Sequence, residues 1–433
     1  MVDRSAELYY AVSKNDPDKI QELLDNGANP NEYYHDMENI SSSSILHVCC
    51  GKGHLEAARV LVDGGADILA RDKWRMSPLI HAIMPQFSEM VEFLIMREPD
   101  VVNMCDKYGK APLHYAIESD SVSIVELLIS HGADVNIGTL KGITPLMALC
   151  SSSGLQNETE MIRLMIHHGA LVNLRDVAAK RTALQYAAIK LKVDVVQILL
   201  GVGSDTNTLD AAGRTPMTNV IRQCVQSDGS IPTNQCMTII VMLLQAECDL
   251  NMTTCEECCP VMVSSLIKCE FLVRFFLDHG ADPGIRFASG VTPLLAAVGN
   301  HDIPSIQTLL EYNSPFHLPG RVIKRRDEFY CNPYELAVHF GYFDVVELLH
   351  MYGYNLSKYP YLSDPHNNSN IPVLLQQNEA ALRRLQRLVS EPPSLFKATA
   401  LFIRKCLRRG LHDKVKLLSL PATLQRDLIC MAV

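Results

Sequence analysis

Two short strings recur along the chain at nearly constant spacing, and they restrict the fold more than any other feature. The first reads GANPN from Gly27, GADIL from Gly65, GADVN from Gly132, GALVN from Gly169, GSDTN from Gly203 and GADPG from Gly280. The second reads SPLIHA from Ser77, APLHYA from Ala111, TPLMAL from Thr144, TALQYA from Thr182, TPMTNV from Thr215 and TPLLAA from Thr292. From Ser77 to Thr215 the successive starts lie 34, 33, 38 and 33 residues apart. A fixed period of this size marks an array in which each unit packs only on its neighbours. A generic helical bundle has no reason to keep such a period.

Each part of the unit has a physical reason. Thr-Pro opens a helix, because proline's missing N–H is not needed in the first turn. Leu113 and Ala116 then face the neighbouring unit. A second helix carries Val125, Leu127 and Leu128, and Gly132 ends it where a positive φ is cheap only for glycine. The turn from Asp106 to Gly109 closes a hairpin leading into the next unit. This pattern resembles the ankyrin repeat over residues 3–357, in about ten units. The resemblance implies an all-α, ankyrin-repeat solenoid of helix–loop–helix units with short β-hairpin turns. Three units depart from the pattern. The seventh carries an insertion around Gln226 to Asn234, the eighth has Cys259-Pro260 in place of Thr-Pro, and the tenth has the basic insert RVIKRRDEF from Arg321.

The pattern stops past Tyr354. Residues 358–390 are expected to be a linker and a capping helix. Tyr359 to Asn370 is polar and reads as a loop. Val373 to Val389 reads as one amphipathic helix, with Leu374, Leu375, Leu382, Leu385 and Leu388 near one stripe. It should cover the open end of the array. From Glu391 onward eight Lys or Arg face three acids, a shift in charge that marks a boundary. In this last segment Leu395, Thr399, Ile403 and Leu407 recur every four residues on one side of a helix that starts at Ser394. Gly410 and Leu420-Pro421 separate two further helices. A segment of about forty residues buries little core alone, so its apolar stripe calls for a partner.

Residues 391–433 resemble a SOCS box, here a small three-helix element. The family's first motif falls on Ser394, Leu395, Thr399 and Ile403, with Thr399 in place of the usual cysteine. Its second falls on Val415, Leu418, Ser419, Leu420, Pro421, Leu424, Asp427 and Leu428. Ser419 replaces a proline there, and Asp427 stands where an aromatic is usual. The resemblance implies that Leu395, Thr399, Ile403 and Leu407 bind elongin B and elongin C. It assigns Val415, Leu418, Leu420, Pro421 and Leu424 to cullin-5 with its RING protein.

Composition narrows the remaining classes. A formal net charge of -9 does not suit a chain built to coat nucleic acid. The longest apolar runs, such as Met237 to Leu244, are too short to span a bilayer. The expected compartment is the cytoplasm, with the nucleus as the alternative; Lys324-Arg325-Arg326 reads first as a solvated loop, and second as a run that binds phosphate or an import receptor. The 14 cysteines are then expected as thiols packed like small hydrophobes. Cys255, Cys258 and Cys259 with Cys248 or Cys269 invite a zinc reading, but one Cys-x-x-Cys is half a site, and His279 belongs to a repeat end. His47, His81 and His114 stand at fixed repeat positions and are expected to hydrogen-bond between units. No phosphate loop, nucleophile elbow or zinc-protease motif is found, so no catalytic residue, cofactor or metal is assigned.

Hairpin tips are the better functional candidates. Trp74, the single tryptophan, lies in the tip DKWR, and Tyr108 holds the same place in DKYG. Aromatics are frequent binding hot spots. Lys73, Arg75 and Lys107 make this patch basic, which suits an acidic or phosphorylated partner, while Asp72 and Asp106 are expected in their own turns. The function expected is a non-catalytic substrate-recognition subunit of an elongin–cullin–RING ubiquitin ligase, holding a protein substrate near Trp74 and Tyr108. The alternative is an ankyrin scaffold or signalling adaptor whose C-terminal helices only cap the array.

Overall fold

The structure, a computed structural model, describes residues 4–35, 42–224, 232–253, 259–324, 327–363 and 371–390. The chain divides into two compact units, Met1–Ala211 and Ala212–Val433.

Among its described residues the first unit holds six helix pairs: α1 (Arg4–Ser13) with α2 (Pro17–Asp25), α3 (Ile45–Lys52) with α4 (Leu55–Asp63), α5 (Pro78–Ile83) with α6 (Ser88–Arg97), α7 (Pro112–Glu118) with α8 (Val122–Ser130), α9 (Pro145–Ser151) with α10 (Glu158–His167), and α11 (Ala183–Ile189) with α12 (Val193–Gly201). First helices stack on first helices, as α3 on α5 and α7 on α9, and second on second, as α6 on α8 and α10 on α12. The core is the seam between these layers. Leu79, Ile80, Leu94, Val125, Leu146 and Leu184 are all buried there. Each such side chain contributes roughly 1.5–3 kcal/mol.

The second unit repeats the plan with α13 (Pro216–Gln223), α14 (Asn234–Gln245), α15 (Pro260–Leu266), α16 (Glu270–Asp278), α17 (Pro293–Gly299), α18 (Ile303–Glu311), α19 (Pro333–Phe340) and α20 (Phe343–Met351). Local chemistry explains the helix starts. The hydroxyls of Thr144, Thr182, Thr215 and Thr292 accept the N–H of the residue three positions on. Cys259 stands at the same place before Pro260 with no side-chain cap bond to the helix.

Hairpins differ from expectation. Among the described residues only two are paired strands: β1 (Tyr33–His35) with β2 (Ser42–Ser44), and β3 (Gly320–Lys324) with β4 (Asp327–Cys331). Other described tips are turns joined to the next by a backbone bond, from Trp74 to Lys107, Tyr108 to Leu140, Lys141 to Val177, Ala179 to Ala211 and Ser289 to Arg321. The basic insert of the tenth unit, which breaks the repeat pattern in sequence, carries β3 and β4, the longer of the two hairpins. The β-branched Val322 and Ile323 and the aromatic Phe329 and Tyr330 provide the reason, since such residues suit a strand better than a turn. Arg325, Arg326, Cys255 and Cys258 lie outside the described residues.

The segment after the last pair also differs. Tyr359–Asn370 is not a plain loop: Pro360–Ser363 forms a short helix, α21, with Tyr361 and Leu362 buried. The single helix expected from Val373 to Val389 is two, α22 (Val373–Gln377) and α23 (Glu379–Ser390). Asn378 splits them, its side chain accepting the Ala381 N–H at 3.1 Å as an N-cap. α22 packs on α19, and α23 on α21. Leu375 and Leu385 are buried, while Leu382 and Leu388 are half-buried. A tyrosine cluster ties this segment to the last pair: Tyr334, fully buried, hydrogen-bonds Tyr361 at 3.0 Å, and Tyr354 hydrogen-bonds Tyr359 at 3.0 Å.

Candidate protein-binding surface

The turns at 72–75 and 106–109 are built alike. One carboxylate oxygen of Asp72 accepts the N–H groups of Trp74 and Met76, both at 2.8 Å, and the other meets His81 Nε2 at 3.0 Å. Asp106 accepts from Tyr108 N–H at 2.7 Å, Lys110 N–H at 2.8 Å and the Tyr115 hydroxyl at 2.8 Å. Burial raises the Asp72 carboxyl, but the His81 bond and the Met76 and Trp74 N–H groups outweigh it and hold the pKa below the usual carboxylate range. Both acids are therefore buried in their turns, and neither presents its charge to a partner.

A positive φ is needed just after each aromatic. Gly109 supplies it at 78°, whereas Arg75 adopts 59° despite its side chain. A Cβ at Gly109 would also lie 2.7 Å from the Leu140 nitrogen, so the next tip packs directly on this glycine.

The tips form a ladder. The Trp74 carbonyl accepts the Lys107 N–H at 2.9 Å, the Tyr108 carbonyl accepts the Leu140 N–H at 2.9 Å, and the Lys141 carbonyl accepts the Val177 N–H at 2.8 Å. Trp74 and Tyr108 thus sit on adjacent tips. Lys107 Nζ stands 3.2 Å from the Trp74 ring centroid and 4.8 Å from that of Tyr108. Trp74 is 38% exposed and Tyr108 56%. Two residues escaped the sequence reading: Leu140 at 74% and Val177 at 62% exposure. They occupy the second place of their turns, where Lys73 and Lys107 stand in the others. Aligning aromatics on one place hides them, whereas asking for one large apolar residue per tip finds them.

The other sequence candidates are placed as follows. His47 and His114 reach the next unit, through Nε2 to the carbonyls of Met76 and Ile143, each at 3.0 Å. His81 does not: it serves Asp72 of its own unit, because it is the fourth residue of its helix, the place from which Tyr115 and Tyr186 also bond their own turn aspartates, whereas His47 and His114 are third. Cys259 and Cys269 are N-caps of α15 and α16, and His279 caps the end of α16 with Nδ1 2.7 Å from the Phe275 carbonyl. Among the described residues no helix is long and apolar enough to cross a membrane. The residues implied for elongin, Leu395, Thr399, Ile403 and Leu407, and for cullin, Val415, Leu418, Leu420, Pro421 and Leu424, lie outside the described residues.

Helix pairs of fixed period, stacked in two layers and joined at their tips, define an ankyrin-repeat solenoid. Residues 8–104, 46–139 and 136–210 match the family described as Ankyrin repeats (3 copies), so this part of the chain carries ankyrin repeats. The chain is 27% identical over 198 residues to the B-cell lymphoma 3 protein homolog of Mus musculus, a match covering 45% of this chain and 42% of that protein. It is 25% identical over 367 residues to Ankyrin repeat and SOCS box protein 16 of Mus musculus, covering 82% of this chain and 74% of that one. The crystal structure of the ankyrin repeat domain of Bcl-3 aligns with TM-score 0.46 at 20% identity, over 55% of this chain and 97% of that chain. The chain spans half or less of the length of the first two curated relatives it matches.

Proposed function

We propose that this protein is a non-catalytic substrate receptor of an elongin–cullin–RING ubiquitin ligase. The observation that carries the reading is the similarity, over most of both chains, to an ankyrin repeat and SOCS box protein. The SOCS-box-like motifs of residues 391–433 support it. In this reading the tip row at Trp74 and Tyr108 holds a protein, and Leu395, Thr399, Ile403 and Leu407 recruit elongin B and elongin C. Leu420, Pro421 and Leu424 then meet a cullin. Catalysis is by proximity: a lysine of the bound substrate is held near a charged conjugating enzyme, which raises its effective concentration. The chain itself supplies no nucleophile.

The test is co-purification of the full chain with the elongin B–C pair. Losing one buried leucine contact of roughly 1.5–3 kcal/mol makes Leu395→Ala at least about tenfold weaker. A folded chain with no affinity for elongins would sink this reading and leave the scaffold alternative.

A further inference from the structure

We infer that the tip row from Trp74 to Val177 binds an extended, acidic segment of a partner protein in a polyproline-II-like conformation, with an apolar residue at every third position. This rests on the reading that the hairpin side of the first unit holds a protein, and names the class of segment it takes.

Three observations carry it. First, four successive tips each expose one large apolar side chain, Trp74, Tyr108, Leu140 and Val177, and backbone bonds fix their order. Such a row is too regular for scattered surface residues, which need no explanation singly. Second, the charge around the row has one sign. Lys73, Arg75, Lys141 and Lys180 are exposed, and Lys107 lies on the Trp74 face. The acids of the same turns, Asp72, Asp106 and Asp176, are buried. Asp176 accepts the N–H groups of Ala179 and Arg181 and the Tyr186 hydroxyl. The chain is nonetheless acidic overall, at -9, so this positive strip is local.

Third, the pitch matches. Stacked helices set successive tips about 8–10 Å apart. A polyproline-II segment rises about 3.1 Å per residue with three residues per turn, so it presents the same face about every 9.3 Å. A β-strand repeats its face after two residues, about 6.6–6.8 Å, and falls out of step. An α-helix, at about 1.5 Å per residue, would reach successive tips with only about one residue in seven. The extended segment therefore fills one tip per turn, and its intervening acids lie along the lysines.

Trp74 is the sole tryptophan, so its emission reports on this site in the intact chain. The probe is a synthetic peptide about ten residues long, with leucine every third residue and glutamate and proline between, long enough to span four tips. Titrated into the full chain at low salt, it should shift Trp74 emission and bind at least about tenfold more tightly than isomers of the same composition with leucine at every second position or with all its leucines adjacent. Binding should weaken as salt rises. By anisotropy of the labelled peptide, Leu140→Asp with Val177→Asp should weaken binding at least about tenfold, with an unchanged melting curve as the folding control. Equal binding of the isomers, or an indifferent double variant, overturns the inference. So does a single-stranded oligonucleotide that displaces the peptide, which would mark a nucleic-acid surface. If no peptide moves Trp74 while a protein partner is still lost in Trp74→Ala with Tyr108→Ala, the partner reading stands and this one falls. If that double variant keeps its partner, the partner reading itself falls.

Discussion

In three units the third residue of the first helix, His47, His114 or Gln185, bridges to the next repeat. His47 accepts the Ser44 hydroxyl on Nδ1 at 2.8 Å and donates from Nε2 to the Met76 carbonyl. His114 accepts the Ala111 N–H at 3.2 Å and donates to the Ile143 carbonyl. Gln185 does the same with the Thr182 N–H at 3.1 Å and the Thr208 carbonyl at 3.0 Å. These bonds assign both rings the neutral, Nε2-protonated form. Burial, with His81 adding to it, pushes the His47 pKa down to about 4, and burial lowers that of His114. An unfolded histidine titrates near about 6.5. Between those values the unfolded chain binds more protons, so stability is full above about pH 6.5 and falls as pH drops towards 4. His47 alone accounts for about 3 kcal/mol of that loss. Chemical denaturation from pH 7 to 4 should show this slope, and His47→Gln should flatten it. His114→Gln should keep most of the stability at pH 7, because Gln185 already makes the same bridge. His114→Leu leaves the Ile143 carbonyl and Ala111 N–H without their partner and should cost about 1–3 kcal/mol in denaturant melts. Equal melting of the two variants would show that the bridge contributes nothing.

The element-scale joint lies where each second helix ends. Asn103 donates to the Gly132 carbonyl at 3.0 Å and accepts the Asp134 N–H at 2.9 Å. Asn136 repeats this with Gly169 and Leu171, Asn173 with Gly203 and Asp205, and Asn31 with Gly65 and Asp67. The glycines need a positive φ to end their helices, which leaves their carbonyls turned outward for the asparagine. Each asparagine therefore sets the spacing between two helix ends. Asn136→Ala removes two bonds, a cost of about 1–3 kcal/mol at a site water can partly reach. Hydrogen exchange should show it: amides of α8 and α10, whose ends Asn136 joins, should lose protection before those of α3. Uniform loss across the unit would mean that these joints do not set local stability.

At the scale of the molecule, the proposed functions are separable. Trp74→Ala with Tyr108→Ala should abolish partner capture and leave elongin binding and the melting curve unchanged, since both side chains are exposed and Asp72 and Asp106 hold the turns without them. If that variant unfolds, the aromatics are packing residues instead. Ser419→Pro restores the prolyl position of the second SOCS-like motif and should tighten cullin binding without changing elongin binding, as read by titration of the purified pair. Strong cullin-5 binding that is indifferent to Leu420→Ala and Pro421→Ala would remove those residues from the contact.

The sequence by itself determined the period, the helix pairs, the Thr-Pro helix starts and the glycine ends. Each of these is set within one unit, by φ preferences and by groups a few residues apart. It also placed Trp74 and Tyr108 on successive turns and put Asp72 and Asp106 inside them. Only the tertiary structure decided what depends on a neighbour. His47 and His114 bridge units while His81 turns back on its own, because the partner carbonyl is about thirty residues away and its register is fixed by packing. Leu140 and Val177 are exposed on the next two tips from a different place in their turns, where the backbone bonds between tips set Leu140 beside Tyr108 and Val177 beside Lys141. Asn378 splits a helix that periodicity reads as continuous, because its capping bond to Ala381 and the packing of α22 on α19 outweigh an apolar stripe that either geometry can keep.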